Sequence, residues 1–277
     1  MSSLFNKHLI ATATLLLCLD SRAAYSKPPV TGSNNGLLTA GICRIESERS
    51  YKLSLQIALG ILGDQARKEL DRSISSISRM RQELGGLNDK STKTTRALTR
   101  ANLALSDQIN GLPKLTSVNA SVMYDVNEDL LNKLNFLSFS LEADASEAST
   151  RLAALALRQA SLAQRMAKII LLRSLDKSMI KNQGLQVDLV QSRIEFKNGL
   201  DLLISEAAND QQFKARVEIA KAQWLFYEAA LISAANSPLE LRSIATTSDR
   251  ISEQMVEIVH ISYSIPLDKV ASARWHY

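Results

Sequence analysis

Cysteine is nearly absent from this chain: two stand in 277 residues, Cys18 and Cys43. Cys18 lies in an N-terminal segment that reads as removable, so an intramolecular disulfide and a cysteine-based zinc cage are both excluded. The remaining Cys43 reads as a half-buried helical cysteine, with covalent dimerisation as the other use. Histidine is equally scarce, and His8, His260 and His276 are too scattered to make a metal site. Aromatics make up 5% of the residues, and 33 Lys+Arg are interleaved with 28 Asp+Glu without a run of like sign. A nucleic-acid binder would carry a basic stripe with stacking aromatics, so nucleic acid is not an expected partner. There is no Gly-rich phosphate loop, no nucleophile elbow and no recognisable triad setting, so no catalytic residue and no cofactor is expected. Past the N-terminus, no apolar run reaches the roughly 20 residues of a membrane span.

The N-terminus itself reads as a secretory signal over residues 1–26. Lys7 and His8 precede the apolar run Leu9–Leu19, and the small residues of Ala24-Tyr25-Ser26 follow. Cleavage is placed after Ser26, with Ala23 as the alternative. Lipidation of Cys18 is excluded, because Leu17 precedes it where Gly, Ala or Ser is needed. The expectation is an exported chain, periplasmic or secreted, with no stable membrane insertion after cleavage.

What the sequence does hold is helix-forming material. Five prolines and ten glycines fall between long stretches rich in Leu, Ala, Ser, Lys, Glu and Gln. Apolar residues recur at three- and four-residue spacing: Leu155, Leu162 and Ile169 are seven apart, with Leu152 and Met166 in adjacent rows, which predicts a helix burying one stripe in a bundle. No alternating strand pattern appears, and the fold class is all-α. Breaks fall at Gly63-Asp64 (Asp64 a plausible N-cap), at Gly85–Asp89 with Ser91 capping the next helix, and at Gly111-Leu112-Pro113. They recur at Gly184, Asn209-Asp210, Asn236-Ser237-Pro238 and Pro266. A helix from about Val118 meets no Gly or Pro beyond Glu142 and can run on into the next. The count is four helices and then four more.

The halves also correspond in detail. Arg49-Ser50-Tyr51-Lys52 matches Arg165-Met166-Ala167-Lys168 at an offset of 165 − 49 = 116. Arg100-Ala101-Asn102-Leu103 matches Lys221-Ala222-Gln223-Trp224 at 222 − 101 = 121, and the fourth helices around Leu130 and Ile251 keep that offset. A duplication accounts for this. Its units are a first four-helix repeat over 38–143, a second over 144–265, and a tail over 266–277. Two packings are open, first helix against first helix within one chain, or repeats stacked end to end. Trp224, Phe226 and Tyr227, at helical spacing, read as a core anchor with interface residues. Glu128-Asp129 reads as a solvated face.

Arg158-Gln159-Ala160-Ser161-Leu162-Ala163-Gln164-Arg165-Met166-Ala167-Lys168 resembles the signature helix, A-G-R-Q-R-M-L-S-Q-R-M-A-K, of the N-terminal domain of type IV pilus methyl-accepting transducers, the PilJ-type domain. That signature is similar to the P-box of the periplasmic domain of nitrate/nitrite sensor kinases. The first half carries a weaker copy in Ala40-Gly41, Arg44, Ser47, Arg49 and Lys52. Gln56–Leu62 with Gln65-Ala66-Arg67, Ala222-Gln223-Trp224 with Phe226–Leu231, and Ala245–Ser248 extend the resemblance over about residues 38–263.

The resemblance implies two tandem up-down four-helix bundles and a sensory, non-enzymatic role. In the sensor kinases, first helices meet in a dimer and a P-box arginine from each side holds nitrate. A guanidinium suits that task, since its planar fork of donors matches a planar oxyanion and it keeps its charge when buried. The ligand arginine corresponds to Arg44 in the first half and to Ala160 in the second. The signature glycine corresponds to Gly41 and to Leu157. The implied ligand positions are Arg44, Ser47 and Arg49, for a small nitrate- or nitrite-like anion, although Arg49 and Arg165, present in both halves, also read as structural residues lining a helix interface. Glu46 and Glu48 replace the signature's Leu and Gln, and Glu48 stands four residues after Arg44, in reach of pairing with it. Partners implied are a membrane receptor, a kinase or a pilus component. The alternative is a structural or interaction module of the cell envelope that has lost ligand binding.

Overall fold

The computed structural model describes residues 32–88, 90–144, 148–206, 210–233 and 237–263. The expected signal over 1–26, the tail over 266–277 and the junction at 145–147, where one continuous helix was open, lie outside the described residues. Among the described residues there are eight α-helices and no strand. They are α1 (Gly32–Leu59), α2 (Gly63–Gly85), α3 (Thr92–Gly111), α4 (Ala120–Asp144), α5 (Ala148–Leu175), α6 (Gln183–Glu206), α7 (Gln211–Ile232) and α8 (Pro238–Tyr263). Helix lengths run 28, 23, 20 and 25 residues and then 28, 24, 22 and 26, so each half opens on its longest helix. None of the described helices is long and apolar enough to cross a membrane.

Local chemistry sets most boundaries. The Ser91 hydroxyl accepts the Thr94 amide at 3.2 Å, and the Asp210 carboxylate accepts the amides of Gln212 and Phe213. Ser237 and Glu240 form a reciprocal capping box: the Glu240 amide donates to the Ser237 hydroxyl, and the Ser237 amide donates to the Glu240 carboxylate. Two boundaries differ from expectation. Asp64 does not cap α2. The chain turns at Gly60 (φ 70°) and Leu62 (φ 53°), so α2 starts at Gly63 with Leu62 left-handed before it, and Asp64 lies in the first turn beside the helix dipole. Gly184 sits inside the first turn of α6, because the reversal before it is a short 3₁₀ turn at Lys177–Lys181, led by the Asp176 side chain.

Helix contacts follow the same pattern in both halves. The first helix lies against the second and fourth, and the third against the fourth and second, which is the packing of helical bundles. α1 then packs along α5 as extensively as it does along its own α2, so the first helices of the halves face each other at the centre. This central position changes the expectation of a single buried stripe. Residues 36–56 of α1 are buried except Arg44, and residues 156–172 of α5 are buried except Arg158 and Arg165. Both helices are enclosed on nearly every side, and their small residues let them approach. At Gly41 an added Cβ would stand 2.5 Å from Leu157 Cδ1. Gly41 and Leu157 differ by 157 − 41 = 116, so equivalent positions of the two halves touch. One glycine receives one leucine.

Apolar packing completes each half. Phe196 stacks on Trp224 with centroids 4.4 Å apart, and Tyr227, fully buried, donates its hydroxyl to the Ala163 carbonyl. Phe226, between them in sequence, is 78% exposed. Cys43 is fully buried, more so than expected, and burial pushes its thiol up to about 12, which leaves it protonated.

Candidate functional site

Four acidic or basic residues lie in the buried stretch of α1, namely Glu46, Glu48, Arg49 and Lys52, and burying charges of this kind unpaired would cost several kcal/mol each. Each finds partners. Lys52 Nζ reaches Asp249 at 2.6 Å, the Ser248 hydroxyl at 3.0 Å and the Ala245 carbonyl at 3.1 Å, all on α8. Arg49 pairs with Asp249 at 3.2 Å and with Glu69 of α2 at 2.9 Å. Glu46 accepts from the Ser73 hydroxyl of α2 at 2.5 Å.

The second half repeats this on α5. Lys168 Nζ reaches Glu128 at 2.8 Å and Asn127 at 2.6 Å on α4, and Arg165 pairs with Glu128 at 2.7 Å and with Asp188 of α6 at 3.1 Å. The offsets are those of the repeat: 165 − 49 and 168 − 52 give 116, and 249 − 128 and 248 − 127 give 121. In both clusters the cations of a first helix cross to the fourth helix of the other half. Burial disfavours the Glu128 carboxylate, but Lys168 and Arg165 outweigh it and hold the group down at about 2. For Lys52 burial dominates even beside Asp249, and its ammonium falls to about 8.

The clusters also differ in what the facing central helix adds. Gln164 of α5 donates to Asp249 at 3.0 Å, and its counterpart in α1 (164 − 48 = 116) is Glu48. Glu48 is buried and bonds across to α5, to Lys168 at 2.5 Å and Arg165 at 3.4 Å. It therefore does not pair with Arg44, as the four-residue spacing allows, because two cations of the facing helix take it.

Among the described residues Arg44 is left without a hydrogen bond or ion pair, and its Nε is buried with no partner. Burial lowers it to about 10, with Glu48 and Glu195 pulling it up and Arg158 and Arg165 pushing it down. It lines a cavity of about 240 Å³ between α1, α4, α5 and α6. Arg158 and Arg165 line it too, so the three places where the central helices come to the surface open on one cleft. Arg158 pairs with Glu195 of α6 across the rim. Asn132, Asn135 and Gln191 add carboxamides, while Leu131, Phe139 and Leu162 form an apolar wall.

The three residues implied as ligand positions are not brought together. Only Arg44 faces the cleft. Ser47 is fully buried, donates to the Cys43 carbonyl at 2.7 Å, and its own carbonyl accepts from Gln108 and Asn127. Arg49 is held by Glu69 and Asp249 on the far side. In the sequence Arg165 reads as a structural residue, and nothing there singles out Arg158, Asn132, Asn135 or Glu195 as cleft residues. Arg165 does serve as scaffold, and also forms one wall. For Arg158 the signal that could have found it is the repeat offset, since it stands one residue beyond Leu157, the counterpart of Gly41.

Among the described residues no group of three or more His, Cys, Asp or Glu is placed to hold a metal ion. No family model, curated protein or solved structure matches the chain.

Proposed function

We propose that this chain is a single-chain counterpart of a sensory-domain dimer, an exported, non-catalytic module that binds a small ligand bearing an anionic oxygen group at Arg44. Its units are two up-down four-helix bundles of the PilJ type, over 38–143 and 144–265, facing each other through α1 and α5. The contact of the equivalent residues Gly41 and Leu157 supports that arrangement, as do the crossed ion pairs at offsets of 116 and 121. The observation that carries the ligand reading is Arg44: a guanidinium with a buried, unpartnered Nε on a cleft, where a ligand oxygen supplies the missing acceptor. The counterpart Ala160 is fully buried, so the duplication leaves one such site per chain. The cleft's carboxylates are each engaged by a cation, which leaves no free general base and fits a binding role. Occupancy would pass by contact to a membrane receptor, a kinase or a pilus component.

A ligand held at one hundred times its dissociation constant stabilises the folded state by about 2.7 kcal/mol, which for a chain of this size raises Tm by roughly 5–10 °C. Thermal denaturation of the mature protein with nitrate, nitrite, acetate and small organic acids tests this. The expected result is a concentration-dependent rise for at least one of them that Arg44→Ala removes; flat melts throughout sink the reading.

One observation favours a second reading, an interaction module of the envelope. α6 turns Val187, Val190 and Ile194, spaced three and four apart, to solvent at 65%, 51% and 51% exposure. Such a stripe fits a partner helix.

A further inference from the structure

Size and charge narrow what the Arg44 cleft can take. At about 240 Å³ it has room for roughly eight water volumes of ~30 Å³ each, several times what a three-oxygen anion needs. It also falls below the ~300–1,000 Å³ of pockets for drug-sized molecules. A small metabolite fits this range.

Formal charge around the cleft is balanced. Arg44, Arg158, Arg165 and Lys168 supply four positive charges, and Glu48, Glu128, Asp188 and Glu195 supply four negative ones. A lone anion would leave this partly buried volume with a net negative charge and would face Glu48 and Glu195 as well as Arg44. A ligand carrying both signs keeps the volume neutral and meets an opposite charge at each end. The two signs are available separately. Among the described residues Arg44 makes no ion pair and its Nε has no partner, and Arg158, 45% exposed at the rim, is tied to Glu195. Inserting a carboxylate and an ammonium between Arg158 and Glu195 exchanges one ion pair for two. The apolar wall of Leu131, Phe139 and Leu162 stands beside them, where a short side chain can lie.

Building on the ligand-binding reading above, we infer that the Arg44 cleft takes a small zwitterion of the amino-acid class, with its carboxylate on Arg44 and Arg158, its ammonium on Glu195 and its side chain against Leu131, Phe139 and Leu162. Arg44 supplies the fork for the carboxylate. Glu195 supplies the selectivity, because it rejects anions that bring no cation of their own.

Titration calorimetry of the mature chain with glycine, L-serine and L-leucine, against acetate, nitrate and methylammonium, tests the inference. The amino acids should bind at least tenfold tighter than acetate or methylammonium, each of which lacks one pole. Arg44→Ala, with folding checked by its melt, should weaken the amino acids at least tenfold. Glu195→Gln alters only a rim residue and keeps the test open if Arg44→Ala does not fold. It should weaken the amino acids at least tenfold while acetate and nitrate bind more tightly than before. Nitrate or acetate binding as tightly as the amino acids would overturn the zwitterion and leave the ligand-binding reading standing. Silence from all six probes would overturn both. Amino-acid binding unchanged in a folded Arg44→Ala would remove the ligand from this cleft.

Discussion

Lys168 shows what a single buried charge carries in this molecule. Its ammonium is fully buried, bonds to Asn127 and Glu128 and pairs with Glu48, and lies 5.0 Å from the Tyr124 ring. Removing one member of such a cluster strands its partners, which typically costs about 3–5 kcal/mol. Lys168→Met should therefore lose about that much in urea unfolding, and adding Glu48→Gln should recover part of it; a loss below ~1 kcal/mol would mean the cluster is wet. Two carboxyls give opposite pH signatures. Glu128 is held at about 2, below its ordinary 4.5, so its stabilisation is full above pH 4.5 and is lost as pH falls toward 2. Glu253 is pushed up to about 7, first by burial and then by Asp249, so the folded state holds its proton more tightly than the unfolded chain does. Its ionisation lowers stability progressively from pH 4.5 to 7. Glu253→Gln should thus raise Tm at pH 8 and leave it unchanged at pH 4, and equal shifts at both would contradict the assignment. None of this was legible in the sequence, where Glu48 and Glu128 read as spacing partners or a solvated face. A charge such as Lys168 and its partners 120 and 40 residues away leave no local mark.

The elements were more legible than their roles. Ser91 announced its helix start, because a cap is written in residues next to the amides it satisfies. The turn before α2 was misplaced, since Gly63 looks like a breaker whereas the reversal uses Gly60 and a left-handed Leu62, a conformation no side chain advertises. The enclosure of α1 and α5 was hidden by their own Arg, Lys and Glu residues, which normally mark a solvent face. The α1–α5 contact gives an element-scale test at Gly41. Alanine there gains about 1 kcal/mol of helix propensity. Its Cβ, however, meets Leu157 Cδ1 at 2.5 Å, Cγ at 3.1 Å and Cβ at 3.2 Å. A rotamer change moves the first of these and not the last, so the helices must separate, and overpacking of this kind costs about 1–3 kcal/mol. Gly41→Ala should be destabilising by about 1 kcal/mol net. A double-mutant cycle with Leu157→Ala should show compensation between the two sites, and strict additivity would mean that they do not touch.

For the whole molecule, offsets of 116 and 121 residues relate positions of the two halves in the sequence, and the crossed ion pairs keep those offsets, while the way the halves meet was not legible. Facing and end-to-end packings place the same residues on the same helices, and only three-dimensional contact separates them. In the proposed reading, a symmetric pair would offer an arginine from each side, and this chain has Arg44 in one half and the buried Ala160 at the corresponding position of the other. The proposed function therefore places one ligand site per chain, on the Arg44 side. The most direct test is the stoichiometry of equilibrium titration of the mature protein with nitrate and with L-serine. Saturable binding of one L-serine per chain is expected, with nitrate binding more weakly, and both lost in Arg44→Ala. Half a ligand per chain, two per chain, no binding of either probe, or binding that survives Arg44→Ala would contradict it.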